Sequence, residues 1–536
     1  MNQPTPTPPA QDFPPAHGDI TRAAGVVGSA TLLSRILGYV RDVVIAGIFG
    51  TGMAADAFFV AFSIPDLLRR LFVEGSLGIA FVPVFSRHLV RDGLERAADL
   101  ANSALRSTAL VLAGICGLAV LFAPYIVEVL AYGWLDQPEK INLCIKLTRI
   151  MLPYGVFICL VALCMGVLNV LGHFAAPALS PVLLNTTIIA AAFLGLQAAH
   201  SRAEIVLWVA AGVLFGGIVQ LVMQIPFLLR KGIRLLRPGP LWHPGMKKVV
   251  LLLGPVLFGT AIYQINSMVI RLFASMLPQG SVSYLYYADR LVQFPMGIFG
   301  MAAATAVLPA LSRQAADRQW KALGDTFNAA MRLVFFMTLP SMVGLIVLRG
   351  PIVALLFQRG AFNAVSTRLT ADALLYYGIG LWAFSAVRIV LNAFYALQET
   401  WTPVRTGLVA VAVNALLCAV LMKPMQHNGL ALALSLSSMV NLALLTAALR
   451  KRLGSLGWRK LAASFGGSLL CALTMGSAVW ALARWLLASP GQYSQVRLLS
   501  GVGTCILAGG LLYAGLALTF QVPEMQTLLR LMTRKK

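Results

Sequence analysis

Residues 34–75 read SRILGYVRDVVIAGIFGTGMAADAFFVAFSIPDLLRRLFVEG. Most of the stretch is apolar enough for a bilayer, yet it carries Arg35, Arg41, Asp42, Asp56, Asp66, Arg69, Arg70 and Glu74. An ionised side chain at mid-bilayer costs about 2.5–3.5 kcal/mol on insertion scales, so these groups cannot all face lipid. Guanidinium and carboxylate groups so placed line a wet cavity for a polar ligand. The alternative is that each arginine merely neutralises a neighbouring acid.

Two long helices fit the stretch, meeting at the glycine turn Gly47–Gly52. Arg35 and Asp42 are seven apart and share a helix face. Asp66, Arg70 and Glu74 recur at i, i+4 and i+8 as an acid–base–acid ladder, and Arg69 points about 100° away from it. At about 1.5 Å per residue, Arg35 lies roughly 22 Å below the turn on the first helix. Arg69 lies at about the same depth on the second, so the two can converge across the hairpin. Pro65, inside the second helix, removes a backbone hydrogen bond and predicts a kink.

The rest of the chain must hold this hairpin. Of 536 residues, 59% are hydrophobic and only 11% charged. A soluble protein would carry about 25% charged residues, so the composition predicts an all-α polytopic membrane protein. The net charge of +23 sits in short loops between apolar runs. That pattern fits membrane topology and anionic lipid, not nucleic acid. Most of the seven cysteines fall inside apolar runs with no CxxC spacing, and the six histidines form no HxxxH pair, so no metal or cofactor is expected. There is no phosphate-binding loop, GxSxG or kinase-type motif, and hence no expected enzyme chemistry or ATP site.

Residues 1–20, rich in proline, are expected to be a disordered tail without a removable signal. About 14 hydrophobic spans of about 20–30 residues follow. The expected units are an N-lobe (21–231), a basic loop (232–246), a C-lobe (247–453), two extra C-terminal spans (457–523) and a basic tail (524–536). Arg230, Lys231, Arg234, Arg237, Lys247 and Lys248 mark the 230–248 loop as cytoplasmic. Asp136 and Glu139, with only Lys140 opposing them, mark 134–140 as external, which makes both termini cytoplasmic. The segments FVPVFSR (81–87) and VLPALSR (307–313) betray an internal repeat, as do Asn169 with Asn392 and Asn185 with Asn414. An even number of spans separates the copies, so the two six-helix lobes are parallel repeats with substrate near the midplane between them.

The second lobe has its own intramembrane charges. Arg271 lies in the seventh span; the eighth opens SVSYLYYADRLVQFPMG, with Ser283, Asp289, Arg290 and Pro295. Arg290 lies roughly 14 Å below its outer loop, a depth similar to that of Arg41. Pseudo-symmetry brings the two to one level; an internal partnership of Arg290 with Asp289 is the competing reading. For Arg388, snorkelling to the inner surface competes with a role in the cavity.

The motifs SRILGYVRD (34–42), DAFFVAFSIPDLLRRLFVEG (56–75), FVP (81–83), YYADRLVQFP (286–295) and LPALS (308–312) resemble the MurJ (MviN) family of lipid II flippases. That family belongs to an exporter superfamily that includes the MATE drug antiporters. The resemblance runs from about residue 22 to the end. It implies a flippase of the bacterial cytoplasmic (inner) membrane that moves the lipid-linked peptidoglycan precursor outward by alternating access. It also implies substrate contacts at Arg35, Arg41, Arg69, Arg290 and Ser283. Gating or coupling roles are expected at Asp42, Asp56, Arg70, Glu74 and Asp289. The last two spans resemble a groove for the undecaprenyl chain. Expected partners are lipid II, membrane lipids and cell-wall synthesis or division proteins.

The chemistry agrees, because guanidinium makes bidentate charge-assisted bonds to phosphate oxygens. A cationic-drug exporter needs a net acidic cavity instead. Rival readings are a flippase for another polyprenyl-linked saccharide, of the O-antigen kind, and a non-transporting scaffold for cell-wall enzymes. With no ATP site, membrane potential is the expected driving force, and no bound ion is assigned.

Overall fold

In the computed structural model, residues 17–72, 77–234, 240–454, 457–487 and 495–526 are described, the side chains of 17–24, 77, 79 and 255–263 aside. Residues 1–16 of the expected tail, Glu74, Arg237 and the basic tail beyond 526 lie outside them. No strand occurs among the described residues. The first lobe comprises α1 (His17–Phe49), α2 (Met53–Leu71), α3 (Leu77–Leu121), α4 (Ala123–Leu130), α5 (Pro138–Met151), α6 (Tyr154–Val170), α7 (Ala175–Ala198) and α8 (Arg202–Arg230). The second comprises α9 (Pro244–Ser275), α10 (Ser281–Pro295), α11 (Met301–Ala316), α12 (Trp320–Val347), α13 (Arg349–Phe357), α14 (Ala364–Ile379), α15 (Leu381–Ala396), α16 (Trp401–Met425) and α17 (His427–Leu453). Two further helices follow, α18 (Trp458–Leu486) and α19 (Gln495–Thr519).

By length and apolarity alone, ten helices among the described residues can cross a membrane, or eleven if the pair α14–α15, bent by 41°, is one span. That is short of the expected count. Of the long helices, α1 and α2, which hold the charges, and α9 fall outside the set, as do the short α4 and α13. Pro65 does not interrupt α2, which runs on to Leu71. Residues 87–104, which carry Arg87, Arg91 and Arg96, are helical. α3 breaks only at Gly93, whose φ of 81° suits a residue without Cβ. Beyond the break Ala97, Leu100, Ala101 and Ala104 are buried, at the i, i+3, i+4, i+7 spacing of an amphipathic helix, so the segment packs instead of looping.

The repeat is visible in the packing. In the first lobe α7 pairs with α8, α1 with α7, α3 with α6 and α6 with α8. In the second, α16 pairs with α17, α9 with α16, α11 with α15 and α15 with α17, in the same order. α18 and α19 pack on each other and on α12, where the Tyr513 hydroxyl donates to the Phe336 carbonyl at 2.8 Å.

The cores explain how the lobes sit. One buried cluster lies at the end bearing the Gly47–Gly52 turn and draws on both lobes, from Ile45 and Phe59 to Tyr287, Phe362 and Leu430. At the opposite end there are two cores, one around Phe81 and Leu100 in the first lobe, which takes in Met246 and Val249 at the start of α9, and one around Phe327 and Phe394 in the second. The lobes thus share a broad core at the turn end, and toward the linker end they meet where the start of α9 packs on α3. The linker itself is pinned to α3. Asn102 Nδ2 donates to the Arg234 carbonyl (3.0 Å), Ser103 Oγ to the Leu241 carbonyl (2.9 Å) and Arg106 Nη2 to the Pro240 carbonyl (3.3 Å). His243 Nδ1 accepts from the Gly245 amide at 3.1 Å and caps α9. Burial, and then the neighbouring His88, hold its imidazole below the ordinary range, which favours the neutral acceptor form.

Candidate functional site

Two polar layers join the lobes. Nearer the open end, Asp42 of α1 is 1% exposed and takes charge from both lobes. It accepts from Arg41 Nη2 at 2.7 Å, from Arg290 Nε at 2.8 Å and from the Tyr286 hydroxyl at 3.3 Å. Arg41 also donates to Asn185 Oδ1 at 3.1 Å, which gives that repeat-marking asparagine a job. Tyr286 stacks on Phe59 with ring centroids 3.8 Å apart, and the Tyr39 hydroxyl donates to the Arg290 carbonyl at 3.2 Å. Arg41 and Arg290 do meet at one level, as the repeat predicts, but through Asp42 between them. Arg290 pairs with Asp42 and not with its neighbour Asp289, which instead accepts from Gln293. One turn along α10 on the same face is within reach; the adjacent residue points elsewhere.

At the turn end, Asp56 of α2 is equally buried. It accepts from the Ser283 hydroxyl (2.6 Å), the Ser283 amide (3.1 Å), the Gly280 amide (2.8 Å) and Lys140 Nζ (2.9 Å). A carboxylate at the N-terminus of α10 is where the free amides and the helix dipole favour it. Ser283 therefore sits in this closure, about 10 Å along α10 from Arg290. Lys140 was expected to be an external loop base. It is 2% exposed in the first turn of α5, over the Trp134 ring at 4.0 Å, because α5 begins at Pro138 and turns it inward. Sequence reasoning missed its role; a lysine two residues after a helix-starting proline was the available signal.

The same closure includes a backbone interlock. The Ala361 amide donates to the Gly47 carbonyl at 2.8 Å, and Thr51 and Ser366 hydroxyls lie 2.8 Å apart. Gly360 has φ of 55°, and a Cβ there would lie 2.3 Å from the Gly47 oxygen. Gly360→Ala is therefore expected to weaken the closure by about 1–2 kcal/mol from the left-handed backbone alone. Hydrogen exchange at the Ser283 amide is expected to rise about tenfold; an unchanged rate would separate the interlock from the closure.

The remaining candidates line the cleft between the layers and the open end. Arg69 was expected to point off the ladder. It pairs with Asp66 at 2.8 Å, as Arg70 does at 2.8 Å, since i, i+3 neighbours lie only about 60° apart and a long side chain spans the gap. Arg35 is exposed and reaches the other lobe: a Cβ on Gly297 would lie 3.1 Å from its Nη1. Its face-mate Asp42 is buried because that face runs from the open mouth into the fused end. The segment Met296–Gly300 forms a π-turn, and Arg388 approaches the Met296 sulfur at 4.0 Å, so Arg388 turns toward the cleft and not to the surface. Among the described residues, Arg35, Arg69, Arg70, Arg290 and Arg388 outnumber Asp66 and Asp289 here, a surface that suits an anion.

These features have counterparts. A sequence family described as lipid II flippase MurJ matches residues 45–499. A probable lipid II flippase MurJ of Vibrio cholerae is 39% identical over 428 residues, 78% of this chain and 81% of that one. The lipid II flippase MurJ of Burkholderia cenocepacia is 36% identical over 440 residues, 81% of this chain and 84% of its own. Among solved structures, lipid II flippase MurJ in an inward closed conformation superposes with a TM-score of 0.75 at 27% identity, covering 92% of this chain and 98% of that one. An inward-facing multidrug MATE transporter of the MOP superfamily shares the fold, with a TM-score of 0.66 at 16% identity over 81% of this chain and 98% of its own.

Proposed function

Because the chain belongs to the lipid II flippase MurJ family, we propose that it translocates lipid II across the bacterial cytoplasmic membrane for peptidoglycan synthesis. The observation that carries this reading is the net basic cleft between two lobes whose broad shared core lies at the turn end and whose cores divide toward the other. It admits an anionic headgroup while the polyprenyl chain stays in lipid beside α18 and α19. Arg35, Arg69 and Arg290 meet the pyrophosphate, which guanidinium forks grip bidentately. Arg41 holds Asp42 in place from the first lobe.

The cleft opens to the cytoplasm and the Asp56 closure faces outward. This orientation follows the positive-inside bias of the 230–248 loop and puts both termini inside. The cycle then breaks the Asp56 closure and brings the inner halves together. No covalent step is needed, and the membrane potential drives the charged headgroup outward. The test of the function is reconstitution into liposomes, with lipid II reaching the far leaflet at a protein-dependent rate. A protein that leaves lipid II in place but moves another polyprenyl-linked saccharide would overturn the assignment. For the orientation, single cysteines at 232–234 are expected to resist an impermeant reagent in intact cells, and cysteines at 135–137 to react. Reversed labelling would refute it.

A further inference from the structure

A small polar cavity of about 10 Å³ lies between α2 and α9, and most of its lining takes no part in the contacts above. On α2, Ser63, Asp66, Leu67 and Arg70 fall at i, i+3, i+4 and i+7, a single helical stripe. On α9, Gln264, Ser267, Met268 and Arg271 repeat that spacing. The stripes face each other and line one cleft. Asp66 is committed to Arg69 and Arg70. Arg271 makes no hydrogen bond or ion pair with any described residue, and neither do the Gln264 amide and the Ser267 hydroxyl. A guanidinium stays charged at any accessible pH, and inside a membrane span it persists where an anion or water meets it.

Its height decides which anion. α9 and α10 are joined by the short turn 276–280, so depth can be counted from one reference. Arg271 is four residues from the end of α9, about 6 Å below the turn; Arg290 is nine residues into α10, about 14 Å below it. Counted along the backbone, the Cα of Arg271 thus lies nearer the turn than those of the arginines assigned to the pyrophosphate. The pyrophosphate is bonded to a polyprenyl chain that stays in the bilayer. The sugars and the peptide precede it into the cleft, and the peptide's carboxylates are the other anions they carry.

We propose that Arg271, with Ser267, Gln264 and Ser63, forms a second anion subsite that takes a peptide carboxylate of the headgroup. The subsite rests on the flippase reading and deepens it. It gives the carrier a means of telling a finished, peptide-bearing precursor from the bare lipid pyrophosphate.

The experiment measures binding to the full-length protein in lipid nanodiscs. The probes are lipid II, lipid II with its peptide carboxylates amidated, and undecaprenyl pyrophosphate. The wild type is expected to bind lipid II about tenfold or more tightly than the amidated form, the value of one charge-assisted contact. Arg271→Gln should erase that difference and leave undecaprenyl pyrophosphate binding unchanged. Arg271→Lys should keep part of the difference, because it retains charge without the fork. Equal binding of both lipid II forms by the wild type overturns the subsite, whatever the variants do. So does an Arg271→Gln variant that loses undecaprenyl pyrophosphate as strongly as lipid II. If the wild type binds none of the three, the flippase reading itself falls.

Discussion

Arg290→Ala is expected to abolish growth support in cells depleted of their own flippase, although the protein still reaches the membrane. In liposomes the transfer of lipid II should slow by about a hundredfold or more, since one side chain supplies two charge-assisted contacts. The first is the 2.8 Å bond to Asp42, which ties the second lobe to α1. The second is the grip on the pyrophosphate. The loss also leaves Asp42 with Arg41 as its remaining arginine, and a buried carboxylate short of one partner is costly. Arg290→Lys should restore only part of the rate, because a lysine cannot hold Asp42 and a phosphate oxygen in the same planar geometry. A near-normal rate in Arg290→Ala would remove the residue from both tasks and leave the cleft to be explained by the other arginines.

The second large effect concerns energy supply. The precursor carries net negative charge, and the cell interior is negative. Each net charge carried outward gains about 2.3 kcal/mol per 100 mV, an outward bias of about fiftyfold. The arginines move far less than the headgroup, so they cannot cancel this. Asp56, the acid best placed to act as a proton carrier, already accepts four contacts, one of them from Lys140. Collapsing the potential while keeping the pH gradient is therefore expected to remove the bias in externally accessible precursor. If flipping instead stops when only the pH gradient is lost, the potential is not the driver and an acid outside the Asp56 closure must be.

Much of this architecture is legible in the chain. The charged hairpin, the paired motifs 81–87 and 307–313 and the depth counted to Arg290 all follow from helical rise and periodicity. Those quantities describe one helix at a time. They say that Arg35 and Asp42 share a face, but not that the face passes from an open mouth into a fused core. They place Ser283 and Asp56 in different lobes, and only the packing of α10 against α2 brings an acid to that helix N-terminus. Lys140 was misread because it adjoins acidic loop residues, while the helix that buries it starts two residues earlier. Arg69 was misread because a Cα–Cβ direction was taken for the reach of a long side chain. The stripe Gln264–Ser267–Arg271 acquires meaning only when the matching stripe on α2 is seen opposite it.

The counter-ion of Asp56 belongs to the same lobe as Asp56 itself: Lys140 rides on α5 and the acid on α2, while only Ser283 and Gly280 come from across the divide. When the lobes part at that end, no pair of opposite full charges is pulled apart. What breaks is a set of hydrogen bonds to water-replaceable donors, each worth about 1–3 kcal/mol. The Asp42–Arg290 bridge is of the other kind, because its separation divides opposite charges between the lobes. The two ends of the carrier thus have unlike release chemistry. Exit gating should be nearly blind to ionic strength, readable as salt-independent exchange at the Ser283 amide, whereas the entry end carries the Coulombic toll and with it the sensitivity to salt and substrate charge. A headgroup that brings its own anions can take Arg290 from Asp42 on arrival, so the cargo itself supplies the exchange of partners that frees the lobes to move.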